Sequence, residues 1–305
     1  MADRKATRND DRHSCKHIRP GPTKHVGGPV NVVGPRDVKI NSKDAAIFSD
    51  ECECFGVGSA PPPKDSIIGG YLKVFIKGQP VARVDEKTYG GSVTEGSPNT
   101  VYGDKVVVLG EAAAQWLLEY LKAQSDIPFE HADDGCYGRA HQMKRIMEER
   151  FTVKMKKVYI EGDLWPETGT NHVLTGSGVT TGPPTNWGYH ICPIVEGVDS
   201  NGKPQKWVFD PALSPDRALT IDEWVALAKG PTGTGQVSEL PAEYYAPSGG
   251  GFVTDLSYTD TNATNKRYSG LVAKGERSTG DPNVATKVSP KSTLGHPNIR
   301  PPHMP

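Results

Sequence analysis

Cys136 is the residue of this 305-residue chain best placed for nucleophilic chemistry. It follows a polar Asp133-Asp134-Gly135 turn and begins a segment whose apolar side chains recur at helical spacing, namely Tyr137, Ala140, Met143 and Met147. A thiol in the first turn of a helix lies in the partial positive charge of the helix N-terminus, which favours the reactive thiolate. The two aspartates oppose this effect. Taken alone, such a cysteine is more often structural, so its interpretation depends on partners elsewhere in the chain.

Two residues further along the chain could supply those partners. His190 lies inside a strand-like segment that runs up to the hairpin signal Asn201-Gly202, and Asp210 ends the next strand-like segment. If these strands pair, His190 and Asp210 can share one face of the sheet, with the Cys136 helix packed against that face. Singly, each has a structural explanation, the first as a satisfied strand histidine and the second as a turn former. As an ordered set they predict the Cys–His–acid layout of papain-like and transglutaminase-like enzymes, in which histidine deprotonates the thiol and the carboxylate holds the imidazole tautomer.

The composition of the chain narrows the class of protein. A length of 305 residues allows two domains, while 34 glycines and 26 prolines indicate many turns and loops. The formal net charge of −1 provides no basic excess to neutralise phosphates, so nucleic acid is not predicted as a partner. No apolar run is long enough to span a membrane, and the polar N-terminal segment lacks the apolar region of a Sec signal peptide. We therefore expect any export to use a route that does not read such a signal.

The cysteines do not resemble a disulfide framework. Their number is odd and their spacing irregular: Cys15, Cys52, Cys54, Cys136 and Cys192. This usage is typical of a reducing compartment, in which cysteines serve as metal ligands or catalytic groups.

The chain divides by pattern into five segments, and the predicted fold class is α+β. We expect a flexible arm, a small cone of repeated β-hairpins, a linker helix, an α+β catalytic domain and a disordered tail, over residues 1–20, 21–104, 105–125, 126–272 and 273–305. The evidence for repeats is a segment beginning at Gly34 that realigns 36 residues later with one beginning at Gly70. Because one hairpin cannot bury a core, the copies are expected to pack around a common axis.

Two motifs in the hairpin segment resemble those of the Pro-Ala-Ala-Arg-repeat (PAAR) proteins, which cap the spike of type VI secretion systems. The eponymous motif is present as Pro80-Val-Ala-Arg83, and a Thr-x-His-Gly-Gly motif as Thr23-Lys-His25-Val-Gly-Gly28, which is one residue longer here. The resemblance implies a pointed β-cone seated on a VgrG-like spike trimer, often with one structural Zn²⁺ near the tip.

The ligands of such a zinc ion are only partly assigned by this resemblance. His25 matches the family's first histidine, and Cys52 or Cys54 its central cysteine, whereas Phe55 and Tyr89 stand where further ligands are usual. Because zinc requires about four N or S ligands, three alternatives remain open. The site borrows a ligand from the arm, which carries His13, Cys15 and His17; it uses both Cys52 and Cys54; or it is absent, and the two cysteines are small turn residues.

The segment that carries the triad resembles bacterial protein-glutaminase, a protein-glutamine deamidase. The matching motifs are Ile127-Pro-Phe, Asp134-Gly-Cys136-Tyr-x-Arg139-Ala-His141-x-Met, Trp187-Gly-Tyr-His190 and Asp210-Pro-Ala-Leu. The resemblance implies Cys136 as nucleophile, His190 as base and Asp210 as acid, with no cofactor for catalysis. For Arg139 and His141 helix packing is the expected role. Secreted members carry disulfides that this chain lacks, which fits action in a reducing cytosol.

Together these observations predict a two-part toxin. It would be made in a Gram-negative cytoplasm and delivered without a signal peptide by a contractile system into a target cell. Expected partners are the spike trimer, target proteins with accessible glutamine and a cognate immunity protein. Two alternatives remain, namely a thiol peptidase or transglutaminase with the same triad, and a non-catalytic spike cap with a binding domain.

Overall fold

A computed structural model describes residues 4–16, 25–56, 64–103, 108–129, 135–166, 172–175, 178–181, 187–248 and 251–274. The chain forms two compact units, Met1–Val107 with Met147–Lys154, and Val108–Ile146 with Met155–Pro305. The predicted tail lies outside the described residues from residue 275 onward. No helix in these described ranges has the length and apolar character needed to cross a bilayer.

The first unit is built from short strands and hairpins. Its strands are β1 (Arg4–Lys5), β2 (Arg12–Cys15), β3 (His25–Asn31), β4 (Lys39–Ile40), β5 (Lys43–Asp44), β6 (Glu51–Glu53), β7 (Phe55–Gly56), β8 (Lys64–Ser66), β9 (Tyr71–Ile76), β10 (Gln79–Val81), β11 (Gly91–Val93) and β12 (Val101–Tyr102). The central sheet has the order β11-β2-β3-β6-β8, and β7 also pairs with β3. Ala46 and Ala82, which the repeat makes equivalent, lie in one core cluster, and the Ala82 N–H donates to the Ala46 carbonyl at 2.9 Å.

The N-terminal segment differs from the predicted flexible arm. Strand β2 lies inside the central sheet, between β11 and β3. Ala6, Thr7 and His13 are buried, and the His13 ring shares a hydrogen bond of 3.0 Å with the Gly28 carbonyl. A sheet of such short strands needs the backbone donors and acceptors of residues 4–15 to complete its ladders, and this pairing orders the segment.

The glycine pair of the first motif has a steric cause. Gly27 has φ of +75°, and a Cβ added there would lie 2.0 Å from the His13 carbonyl oxygen. Only glycine tolerates this combination of left-handed backbone and close approach. The motif therefore permits β3 to pass directly against β2 and brings His25 close to the end of that strand.

The second unit is a mixed α+β fold, which confirms the predicted class. Its elements are β13 (Leu109–Gly110), α1 (Glu111–Lys122), α2 (Cys136–Phe151, which belongs to this unit as far as Ile146), β14 (Lys156–Leu164), β15 (His172–Thr175), β16 (Gly178–Thr181), β17 (Trp187–Val198), β18 (Pro204–Val208), α3 (Ile221–Lys229), β19 (Thr234–Leu240), β20 (Tyr244–Ser248), β21 (Gly251–Thr254) and α4 (Thr259–Lys274). The main sheet has the order β13-β17-β14-β19, and β18 also pairs with β17. Strand β17 thus has strands on both sides, and it carries His190.

Helix α1, predicted as a linker, packs within the second unit. Five of its residues are buried: Ala113, Ala114, Leu117, Leu118 and Leu121. Lys122 Nζ donates to the Pro215 carbonyl at 2.9 Å, and Gln115 Nε2 donates to the Asp216 carbonyl at 2.7 Å. The apolar face of a helix is stable in water only when covered, and this face is covered by its own unit.

Two local predictions that position the site are confirmed. The Asn201-Gly202 turn joins β17 to β18, with Gly202 at φ +78°. Helix α3 begins with a capping box in which Thr220 Oγ1 accepts from Glu223 N–H and the Glu223 carboxylate accepts from Thr220 N–H. Both features lie close in sequence to Asp210, so they restrict the path of the chain on either side of it.

Candidate active site

Cys136 is the first residue of α2, as the sequence predicts. It follows Gly135, whose φ is +78° and whose added Cβ would lie 2.6 Å from the Tyr268 ring, so a side chain at residue 135 is excluded. The Cys136 side chain is 7% exposed and packs in a cluster with Tyr137 and Tyr159. The two aspartates that precede this turn in the sequence, residues 133 and 134, lie outside the described residues. The thiol is therefore held at a helix start, close to the surface but almost covered.

His190 is held in a buried aromatic environment on β17. Its main-chain partner on β14 is Ile160, and the residue is 2% exposed. Trp187 stacks on the imidazole with ring centroids 4.3 Å apart and an interplanar angle of 23°, and Trp224 stacks at 5.6 Å and 21°. Two tryptophan faces restrict rotation of the ring and exclude water from it.

Asp210 follows β18 and accepts hydrogen bonds from His190 on β17 and from Trp224 on α3. Its Oδ2 lies 2.7 Å from His190 Nε2 and accepts from Trp224 Nε1–H at 2.8 Å. Its Oδ1 accepts from the Leu213 N–H at 3.3 Å. A carboxylate that is 3% exposed is stable in the charged form only with such partners.

The charges of this pair follow from its geometry. Burial lowers the pKa of His190, but the charge and hydrogen bond of Asp210, together with the interaction of the imidazolium with the Cys136 sulfur, raise it to about 9 overall. Burial raises the pKa of Asp210, whereas its contacts with His190 and Trp224 lower it to about 2 overall. At neutral pH the pair is therefore an imidazolium and a carboxylate.

The His190 imidazole hydrogen-bonds to Asp210, and the Cys136 side chain contributes to the raised pKa of the same ring. The expected pairing of β17 with β18 explains only part of the approach of Asp210 to His190, because the ladder ends where Ile194 lies opposite Val208. Asp210 lies two residues past the ladder, where continued pairing would place it opposite Cys192.

Two residues of the site were not identified from the sequence. Cys192 Sγ lies 3.6 Å from His190 Nε2 and also hydrogen-bonds to Asp210. The period of two along a strand puts Cys192 on the same face as His190, which is a signal that was available in the sequence. Trp224 had no such signal, because its contact with Asp210 depends on where α3 packs.

A second cluster of potential ligands lies in the first unit, and it differs from the predicted set. The ligand atoms of Cys15, His25 and Cys54 lie within 4.8 Å of one another, and all three residues are buried. His25 Nδ1 is 2.9 Å from Cys54 Sγ and 3.8 Å from Cys15 Sγ. The arm therefore supplies a sulfur, which was one of the three alternatives.

Cys52 is not part of this cluster. Its side chain lies in the hydrophobic core of the first unit, with Val30, Ala46, Ile67, Ala82 and Val93. Cys52 lies in β6, whereas Cys54 lies between β6 and β7, and of the two it is Cys54 whose sulfur lies close to His25. His13 is also excluded, because its ring contacts the Gly28 carbonyl and Asp65, while residue 17 lies outside the described residues. Two sulfurs and one imidazole nitrogen fit zinc in type and provide three of four tetrahedral ligands.

Comparison with protein families divides the chain in the same way. Residues 20–91 match the family described as "PAAR motif", and residues 113–228 match the family described as "Glutaminase". The chain is therefore a fusion of a PAAR-motif segment and a glutaminase-family segment. The second match contains Cys136, His190 and Asp210.

Solved structures of protein-glutaminase are similar to this chain. A crystal structure of protein-glutaminase is 20% identical over 58% of this chain and 95% of its own, with a TM-score of 0.45. The NMR structure of protein-glutaminase from Chryseobacterium proteolyticum is 22% identical over 55% and 91%, with a TM-score of 0.43. A mutant of pro-protein-glutaminase is 15% identical over 92% and 98%, with a TM-score of 0.47. No curated protein sequence matches the chain.

Proposed function

We propose that the second unit is a protein-glutamine deamidase that uses Cys136 as its nucleophile. The observation that carries the proposal is the buried His190–Asp210 pair, held by a hydrogen bond from Trp224, with the Cys136 side chain acting on the same imidazole. A thiol, a base and an orienting carboxylate in this order are what covalent acyl transfer requires. The family match of residues 113–228 supports glutamine as the acyl donor.

The two nitrogens of His190 have separate tasks in this mechanism. Nε2–H donates to Asp210, which leaves Nδ1 as the nitrogen that exchanges a proton with Cys136. The Cys136 thiolate attacks the carboxamide carbon of a glutamine side chain, and the tetrahedral oxygen is stabilised by backbone N–H groups at the start of α2. Nδ1–H of His190 then protonates the amide nitrogen, the C–N bond breaks and ammonia leaves. Cys136 is now joined to the glutamyl group as a thioester.

Water completes the cycle. His190, now neutral, removes a proton from a water molecule as its oxygen attacks the thioester carbonyl, and the C–S bond breaks. The products are glutamate on the target protein and the original Cys136–His190 pair. The target exchanges a neutral amide for a carboxylate, which disrupts an interface if that side chain is buried there. The residues of the chain supply every proton transfer, so this step requires no cofactor.

The first unit would deliver this enzyme. A PAAR-motif segment that caps a VgrG-like spike trimer of a type VI secretion system would carry the deamidase into a target cell, where proteins with accessible glutamine are its substrates. Such a toxin would harm the cell that makes it, so we also propose a cognate immunity protein that binds over Cys136. Reading frames next to the coding sequence can be tested for protection against the expressed chain, and failure of all of them would count against this partner.

The proposal is tested with the full chain and a glutamine-rich protein. We expect release of ammonia and conversion of glutamine to glutamate, detected by mass spectrometry of the substrate. New peptide termini would instead indicate a thiol peptidase, and cross-links formed with an added amine would indicate a transglutaminase. Absence of all three products, at substrate concentrations that saturate related enzymes, would favour the non-catalytic spike cap.

Zinc in the first unit is a further part of the proposal. Cys15, His25 and Cys54 would hold Zn²⁺ and tie strand β2 to β3 and to the β6–β7 segment. We expect Cys54→Ser to reduce zinc in the purified full chain by about one equivalent per chain, because a hydroxyl is a poor ligand for this ion. Elemental analysis by mass spectrometry measures it.

The matched control for zinc binding is Cys52→Ser. This substitution removes a sulfur with the same burial, 1% exposed, from the neighbouring core. It should leave the zinc content unchanged. Equal zinc content in the two variants would contradict the assignment of Cys54 as a ligand.

A further inference from the structure

Cys192 has no task in the proposed reaction, although it contacts the two residues that assist Cys136. Its Sγ is 3.6 Å from His190 Nε2, it hydrogen-bonds to Asp210, and its residue is 2% exposed. The ligand atoms of His190, Cys192 and Asp210 all lie within 4.8 Å of one another. Cys136 acts on the same imidazole but is not one of these three residues, which meet at the ring nitrogen that faces Asp210.

These groups have the chemical types that a thiophilic divalent cation selects. One sulfur, one imidazole nitrogen and one carboxylate oxygen are ligand types found in zinc sites, and water can occupy the fourth tetrahedral position. Cys192 packs in the core cluster that also contains Val158 and Ile194, where apolar contact alone does not call for a sulfur. A sulfur at this point adds a ligand that the core does not need.

The spacing also suits such an ion. Zinc bonds of about 2.3 Å to sulfur and about 2.0–2.1 Å to nitrogen, set at the tetrahedral angle, place the two ligand atoms about 3.6 Å apart. The Cys192 Sγ to His190 Nε2 distance has this value, 3.6 Å. The His190 to Asp210 contact of 2.7 Å would have to open by somewhat less than 1 Å, which exchanges one hydrogen bond for two metal bonds.

We propose that His190, Cys192 and Asp210 form an inhibitory site for Zn²⁺ that is distinct from the site in the first unit. Binding releases the Cys192 thiol proton and the His190 Nε2 proton to solvent and places a divalent cation between the imidazole and Asp210. The cation replaces the carboxylate as the partner of the ring and disfavours the imidazolium that must protonate the leaving ammonia, so deamidation stops. The activity readout of this inference rests on the proposed deamidase function, whereas its spectroscopic readout does not.

The first test measures deamidation by the full chain at buffered concentrations of free Zn²⁺. We expect inhibition that a chelator reverses. Cys192→Ser keeps the size of the side chain and a donor for Asp210 but loses the sulfur, so half-inhibition should require at least about tenfold more zinc. Each variant is compared with its own zinc-free rate, and Cys52→Ser, which alters only the first unit, should match the unsubstituted chain.

The second test replaces zinc by Co²⁺, whose bonds to thiolate give a charge-transfer absorption in the near ultraviolet. The difference between the spectra of the unsubstituted chain and Cys192→Ser cancels any cobalt bound in the first unit. We expect a positive thiolate band in this difference. Cys192→Ala removes the sulfur in another way and provides a second variant if the serine variant does not fold.

The outcomes separate this inference from the proposed function. Equal zinc sensitivity of the unsubstituted chain and both Cys192 variants, or a flat cobalt difference spectrum, would overturn the site. A chain without deamidase activity that still gives the cobalt difference band would overturn the proposed function and leave the metal site standing.

Discussion

Replacement of Cys136 by alanine should reduce deamidation by the full chain by a factor of at least about 10⁴, because the covalent route is lost with the thiol. The structure places this thiol at the start of α2, where it acts on the pKa of His190, and a methyl group can neither attack the carboxamide nor form the thioester. The loss should appear in kcat and not in the affinity for the substrate protein. Ammonia release and mass spectrometry of the substrate measure it.

The control for this substitution is Cys52→Ala. Cys52 is also a buried free cysteine, but it lies in the core of the first unit. The Cys52→Ala variant should retain the deamidation rate of the unsubstituted chain. In cells, expression of the chain should convert glutamine to glutamate in the proteome only when Cys136 is present. Toxicity that persists in Cys136→Ala would instead support a spike cap whose second unit only binds its target.

Replacement of Asp210 by asparagine should lower kcat by about 10²–10⁴ while the fold is retained. Asparagine has nearly the same shape as aspartate but cannot balance the charge of the imidazolium. It therefore weakens the contact that orients His190, and it leaves Trp224 Nε1–H with a neutral acceptor. The measurement is kcat for ammonia release over the pH range in which the chain stays folded.

The pH profile provides an independent check on the role of Asp210. The reaction needs protonated His190 to expel ammonia, so activity should fall as the pH rises through the His190 pKa of about 9. Burial lowers this pKa and the Asp210 charge raises it, so removal of that charge must lower it. In Asp210→Asn the loss of activity at high pH should therefore begin at lower pH than in the unsubstituted chain.

Glu223→Gln is the matched control for this experiment. It also exchanges a carboxylate for an amide in the second unit, but Glu223 contacts Arg217 and Thr220 at the surface. The Glu223→Gln variant should have a weaker cap on α3, and its activity should fall at the same high pH as that of the unsubstituted chain. If Asp210→Asn has an unchanged kcat and loses activity at the same high pH as the unsubstituted chain, Asp210 has no part in the mechanism.

The elements around the site could be predicted because their signals are local. The α3 capping box and the Asn201-Gly202 turn are each formed by residues within a few positions of one another. The same holds for the start of α2 at Cys136, where a turn gives way to a helical period. Local hydrogen bonds and steric limits act in the same way in any tertiary context, so the pattern alone indicates the element.

The features that the sequence did not predict are contacts between segments that are far apart in the chain. Residues 4–15 carry no periodicity and were predicted to belong to a flexible arm, yet they contain β1 and β2, and β2 lies between β11 and β3 in the largest sheet of the first unit. Cys52 and Cys54 are equivalent by residue type and lie two positions apart, and only the tertiary structure brings Cys15 and Cys54 close to His25.

The sequence by itself determined the α+β class, the two segments and the ordered set of Cys136, His190 and Asp210. These follow from residue types, short-range spacing and matched motifs. Only the tertiary structure decided that Trp224 donates to Asp210, that Cys192 lies beside the imidazole and that Cys15 joins His25. Contacts of this kind depend on sheet register and on the packing of whole elements, which are set by the free energy of the complete core and not by any one stretch of chain.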